Sequence, residues 1–162
     1  MPVRQFALFQ MIRVLFICHG NICRSPMAEF LFKDYVEKKG KKDLFKIDSM
    51  ATSSEEIGNS IHRGTRMILN KYNIKYDNHI AKRVSINDYD NYDFIIAMDN
   101  NNIYNLRRIF TNMDKVHLLL EYSNLDRDIS DPWYTGDFDT TYDDIMMGIE
   151  GFYNYLVENN YI

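Results

Sequence analysis

The sequence predicts an α/β domain, a doubly wound parallel sheet with helices on both faces. Three observations carry that expectation. Short apolar runs alternate with amphipathic stretches, the order that parallel sheets with crossover helices produce. The first run ends in a tight Cys- and Gly-containing loop followed by Ser25-Pro26, the signature of a strand handing over to a helix. The chain of 162 residues suits one domain with a substantial core.

The elements follow in order. Ile12-Arg13-Val14-Leu15-Phe16-Ile17 reads as a buried strand over 12–17. Pro26 is expected at the first position of the next helix, whose Met27, Leu31 and Tyr35 share a face. A strand over 45–49 leads through Ser49 and a loop to a helix near 61–72. A strand over 93–98 leads to a helix containing Ile103, Leu106 and Phe110. A strand over 116–120 leads through a polar loop to a last helix that aligns Ile145, Ile149, Phe152 and Leu156.

Composition narrows the function classes. Nineteen basic against 23 acidic residues give a net charge of −4, which speaks against a nucleic-acid partner. No apolar run approaches the length of a membrane span. Residues 1–10 include Phe6-Ala7-Leu8-Phe9 but lack a long apolar core with a small-residue cleavage site, so they do not read as a secretion signal. They read as an N-terminal extension or a cloning remnant ahead of a domain over 11–162. The only two cysteines, Cys18 and Cys23, fall in one loop, which is no disulfide framework. These features together predict a cytoplasmic protein. A zinc site would need more ligands than two cysteines and scattered histidines, so neither a metal nor another cofactor is expected.

The loop Cys18-His19-Gly20-Asn21-Ile22-Cys23-Arg24-Ser25 carries the chemistry. Strand, tight loop and helix N-terminus form a geometry that binds an anion, because loop N–H groups converge where the helix dipole is positive. Gly20 and Asn21 suit the bend, since both tolerate positive φ. The thiolate is the nucleophilic form of cysteine, and a helix N-terminus, N–H donors and a nearby Arg24 each favour it. Ser25 can donate a hydrogen bond to the sulfur. A thiol and a guanidinium at opposite ends of such a loop point to attack on phosphorus by Cys18, with Arg24 gripping the equatorial oxygens at two points. A buried cysteine before an ordinary helix cap is the plain alternative. A nucleotide-binding P-loop is a poor one, because its Gly-Lys-Ser/Thr ending is absent.

Val14-Leu15-Phe16-Ile17-Cys18-His19-Gly20-Asn21-Ile22-Cys23-Arg24-Ser25-Pro26 closely resembles the signature of the low-molecular-weight protein tyrosine phosphatases. Asp131-Pro132-Trp133-Tyr134 matches the family's second mark, Asp-Pro followed by two aromatics. The resemblance runs from Met11 nearly to the end. It implies a metal-independent phosphoric monoester hydrolase working through a cysteinyl-phosphate, and four central strands in order 2-1-3-4. It implies tyrosine-phosphorylated proteins or peptides as partners, and phosphate and other oxyanions as inhibitors. Displacing tyrosine needs a proton on the leaving oxygen, and by resemblance Asp131 is that acid and later the base for water. Asp131 also stands where a bare reading would see only Asp-Pro opening a turn. Pro132 stiffens the position, and Trp133 and Tyr134 are expected to border the pocket for the aromatic ring. The loop residues His19, Gly20, Asn21, Ile22, Cys23 and Ser25 are expected to wrap the phosphoryl group.

The family holds this loop in shape with polar groups that match Asn21, Ser25, Ser49 and His79 here. Asp99, after the run Phe94-Ile95-Ile96-Ala97-Met98, falls on a strand end and is expected to pair with His79. Ser49, His79 and Asp99 are thus expected to support the loop without taking part in bond making. One departure concerns the segment after Thr52-Ser53, where eukaryotic members present an aromatic side chain. Here it reads Ser54-Glu55-Glu56, which would disfavour acidic segments beside phosphotyrosine.

Three rivals share parts of this pattern. Bacterial arginine phosphatases have the same fold and loop but carry Thr where this chain has Ile22, so Ile22 favours phosphotyrosine. Thioredoxin-coupled arsenate reductases need further cysteines, and none exists beyond Cys23. A phosphopeptide-binding module without catalysis has no need of Asp131. Cys23 itself has two readings: a thiol that condenses with an oxidised Cys18, or a small apolar filler behind the loop.

Overall fold

A computed structural model describes residues 10–162. The segment expected as an extension lies outside the described residues except for Gln10. Four strands form one parallel sheet: β1 (Ile12–Cys18), β2 (Phe45–Ala51), β3 (Phe94–Ala97) and β4 (Val116–Leu118), in the order β2-β1-β3-β4. The doubly wound class and the strand order are both as expected. The helices are α1 (Arg24–Lys38), α2 (Arg63–Lys71), α3 (Asn100–Arg107), the short α4 (Pro132–Thr135) and α5 (Phe138–Glu158). None is long and apolar enough to cross a membrane, among the described residues.

Strand β1 is central and buried on both faces, which is why it reads as a continuous apolar run. Its alternation still sorts the core. Ile12, Val14, Phe16 and Cys18 face the cluster built with Met27 and Leu31 of α1 and Ile145, Ile149 and Phe152 of α5. Leu15 and Ile17 face the opposite cluster, with Ile95, Leu118, Leu106 of α3 and Phe110. The strand therefore delivers Cys18 on the α1 side of the sheet, at the C-terminal edge where open α/β sheets bind ligands.

Several boundaries differ from expectation. Helix α1 begins at Arg24, so Pro26 is its third residue and not its first. The shift costs no hydrogen bond, because the first four N–H groups of a helix have no partner within it. The N-terminal half of α1 is buried all round, from Arg24 to Phe32, where a one-sided apolar face was expected. Strand β4 stops at Leu118, and Leu119–Ser123 form a 3-10 turn ending in Asn124 at φ 58°. Strand β4 buries alternate residues and leaves His117 exposed, so burying Leu118, Leu119 and Leu120 in succession takes the chain out of the strand pattern. The turn directs Leu119 against α5 at Gly148, where a Cβ would overlap the leucine side chain. Helix α3 ends before Phe110, whose N–H still bonds to the Leu106 carbonyl and keeps the ring in the core.

Candidate active site

The turn from Cys18 to Arg24 closes on its own first side chain. The backbone N–H of Asn21 donates to Cys18 Sγ at 3.3 Å, and Ser25 Oγ lies 3.0 Å from the same sulfur. Asn21 supplies the bend at φ 60°. Gly20 does not have the positive φ expected of it. Its missing side chain matters for space, since a Cβ there would come within 3.2 Å of Glu56 Cγ.

A directional network holds the turn. Asn21 Nδ2 donates to Ser25 Oγ at 2.8 Å and to Ser49 Oγ at 2.9 Å. Its Oδ1 accepts from the Lys82 N–H at 3.2 Å, which fixes which end of the amide is which. Each serine oxygen therefore accepts from Asn21 and aims its own hydrogen elsewhere. Ser49 donates to Glu29 Oε1 at 2.6 Å. Ser25 is free to donate to Cys18 when the sulfur is a thiolate, which can only accept. Asn21 and Ser25 are fully buried, so these bonds act without competition from water.

His79 caps the network from outside. Its Nε2 meets the Asn21 carbonyl at 3.1 Å, and its Nδ1 stands 3.8 Å from Glu29. The expected pairing of His79 with Asp99 is not formed. Strand order explains why. The segment carrying His79 runs beside β2, joined to it at Ala51 and Arg83, whereas Asp99 follows β3 on the other side of β1. Asp99 instead holds Arg24, Oδ2 accepting from Nη1 at 2.7 Å, while its Oδ1 caps α3 through the Asn102 N–H.

Arg24 is the hub of the β3 side. It is buried, and Nη1 also donates to the Ile129 carbonyl at 2.8 Å, while Nη2 faces Asp131 Oδ2 at 3.4 Å. Burial opposes the charge on Arg24. The negative charges of Cys18, Asp99 and Asp131 outweigh it and push the guanidinium up from its ordinary value. Asp131 is both a helix cap and a partner of Arg24. Its Oδ1 accepts the Trp133 N–H at 3.0 Å as α4 starts at Pro132, and its Oδ2 turns to Arg24. Cys23 is buried, and desolvation chiefly, then the charges of Cys18 and Asp131, push its thiol up and keep it protonated. Both thiols are free.

These residues line a cleft of about 100 Å³. Cys18 and Arg24 line it together with His19, Gly20, Ile22 and Cys23, the exposed aromatics Trp133 and Tyr134, and the acidic pair Glu55 and Glu56, while Asn21 is buried behind the loop. Ile22 packs with Cys23 and Ala81. The structure thus brings together Cys18, Arg24, Ser25, Asp131 and the aromatics, with Asn21, Ser49 and His79 behind the loop and Asp99 behind Arg24.

Sequence reasoning missed three contributors. Glu29 has a visible signal, a carboxylate set between Met27-Ala28 and Phe30-Leu31 in a helix buried all round, with Lys33 one turn on and 2.6 Å away. His62 caps α2 through Nδ1, stacks on Phe138 and meets Trp133 edge-on, so it braces the aromatic wall. The Ile129 carbonyl is a main-chain atom and leaves no trace in residue types.

Known proteins resemble this chain over nearly its whole length. The family model for low molecular weight phosphotyrosine protein phosphatase matches residues 13–160. The chain is 46% identical over 145 residues to the low molecular weight protein-tyrosine-phosphatase YfkJ of Bacillus subtilis, covering 86% of this chain and 92% of that protein. It is 37% identical to PtpA of Staphylococcus aureus, over 92% of this chain and 96% of that one. The crystal structure of YfkJ superposes with a TM-score of 0.90, covering 94% of this chain and 98% of that one at 40% identity. A drosophila arginine phosphatase superposes with a TM-score of 0.82 at 30% identity, covering 89% and 97%.

Proposed function

The chain belongs to the low molecular weight phosphotyrosine protein phosphatase family, and on that premise we propose the role of each residue in its cleft. It is a protein-tyrosine phosphatase, a hydrolase that needs no metal and passes through a cysteinyl-phosphate. Cys18 is the nucleophile. Its thiolate attacks phosphorus as the P–O bond to the tyrosine breaks. Asp131 donates its proton to the departing phenol oxygen, so tyrosine leaves neutral. In the second half Asp131, now ionised, takes a proton from water as that water attacks phosphorus. The P–S bond breaks, releasing phosphate and restoring the thiolate.

The other roles follow from position. Arg24 grips the equatorial oxygens with the donors that face the cleft, and an entering phosphoryl group takes over the Nη2 donor now turned to Asp131. Ser25 stabilises the sulfur as thiolate and as leaving group. Asn21, Ser49 and His79 hold the loop, and Asp99 holds Arg24. His19, Gly20, Ile22 and Cys23 wrap the phosphoryl group, while Trp133 and Tyr134 flank the ring. The observation that carries this assignment is the convergence of Cys18, Arg24 and Asp131 on one small cleft, with Ser25 Oγ 3.0 Å from the cysteine sulfur.

The domain runs over 11–162 and works in the cytoplasm, where a thiol nucleophile stays reduced. Inorganic phosphate and related oxyanions compete for the loop. Phosphoarginine is the second substrate reading, favoured by the likeness to a drosophila arginine phosphatase. Ile22 opposes it, since its buried apolar side chain offers no hydroxyl to water. Turnover measured side by side on phosphotyrosine and phosphoarginine peptides decides between them. Phosphotyrosine is the expected preference, with Ile22→Thr moving the ratio toward phosphoarginine. A wild type that favours phosphoarginine overturns the substrate assignment, and full turnover by Cys18→Ser overturns the mechanism.

A further inference from the structure

The cleft carries unlike charges at its floor and its mouth. The floor attracts anions, with Arg24 and the loop N–H groups. The mouth has three carboxylates, Glu55, Glu56 and Asp131. Asp131 faces Arg24, which leaves the other two as the charge a substrate meets at the rim. Glu55 is 69% exposed and its only ionic partner among the described residues is His19, 2.9 Å away. Glu56 is bonded to the neutral amide of Asn59 at 2.6 Å, so its charge is uncompensated there. Its stem lies against Gly20, which fixes this acid wall to the phosphate loop itself.

The aromatic residues in the lining add an independent preference of the same sign. Trp133 is 57% and Tyr134 83% exposed, and aromatic faces attract ammonium and guanidinium groups. A side chain beside the phosphotyrosine meets carboxylates and π-faces in the lining of the same cleft. Both favour a cation and neither favours an anion. Once the phosphoryl group has taken Arg24, the cleft lining holds no other Lys or Arg among the described residues for an acidic neighbour to meet.

We infer that this phosphatase selects phosphotyrosines flanked by Lys or Arg, and that Glu55 and Glu56 make the selection. The inference rests on the phosphotyrosine reading of the same site and names its substrate class more closely. The size expected is modest, because exposed ion pairs are weak and screened by salt.

The test uses three phosphotyrosine peptides of one length, with Lys, Gln or Glu on both sides of the phosphotyrosine, and an aryl phosphate as reference. For the wild type at low salt, kcat/KM for the Lys peptide should exceed that for the Glu peptide by about 10-fold, the Gln peptide lying between. The ratio should shrink toward one as salt rises. In Glu55→Gln/Glu56→Gln, with each rate normalised to the aryl phosphate in the same variant, the ratio should fall to about 2-fold, the residue left to the aromatic wall. Equal turnover of Lys and Glu peptides, or a ratio the double substitution leaves unchanged, overturns the inference while the phosphatase assignment stands. No turnover of any peptide or of the aryl phosphate by folded protein overturns the assignment, and the inference falls with it.

Discussion

Ser25 Oγ stands 3.0 Å from Cys18 Sγ while accepting a hydrogen bond from Asn21 Nδ2, and a Cys18 thiolate can only accept, so in that form the serine hydrogen makes the bond. The donor's direction is set by a buried amide whose other end is pinned by the Lys82 N–H. Ser25 is thus aimed before any ligand arrives. Preset donors of this kind lower the barrier most where charge develops, here on the departing thiolate.

Ser25→Ala should therefore lower kcat by about 10- to 100-fold, the loss expected for a hydrogen bond to a charged group. The second half of the reaction should suffer more than the first, so the cysteinyl-phosphate should accumulate. Rapid-quench kinetics on an aryl phosphate measures this as a burst. A kcat within 2-fold of wild type and no burst would mean the bond is idle.

Asp131→Ala should lower kcat by about 10²- to 10⁴-fold on phosphotyrosine, the usual reach of general acid catalysis. The deficit should narrow for nitrophenyl leaving groups, which depart without a proton. A series of substituted aryl phosphates reads the slope directly. A uniform loss across the series would take the acid role away from Asp131.

For Cys23 we propose a protective role. Burial keeps it protonated, so peroxide should attack Cys18 first. The sulfenic acid on Cys18 then condenses with the Cys23 thiol, forming the S–S bond and releasing water. Wild type treated with peroxide and then a thiol reductant should regain most of its activity, and Cys23→Ser much less. Equal recovery would leave Cys23 as packing alone.

The parts legible in the sequence were those encoded by residue type in a short window. Apolar runs marked the four strands, and Cys18 with Arg24-Ser25 and Asp131-Pro132 marked the two loops that meet. The partner of Asp99 was not legible. Whether it meets His79 or Arg24 depends on which sides of β1 the neighbouring strands take, and His79 and Asp99 end up on opposite sides. Ile129 acts through its carbonyl, which every residue has. The start of α1 lies two residues before the position Pro26 suggests, because proline is tolerated anywhere in the first turn.

The alternation along β1 has an evolutionary consequence. Cys18 shares its face with Val14 and Phe16, while Leu15 and Ile17 face α3's side. Losing or gaining one residue in the stretch 12–17 would turn the thiol toward the wrong side of the sheet even where hydrophobic packing survived. A change of two would restore its direction. Point substitutions among aliphatic residues are tolerable along this strand, but its spacing to Cys18 is not free to drift. The length of that strand is constrained by the chemistry at its end as much as by the core it fills.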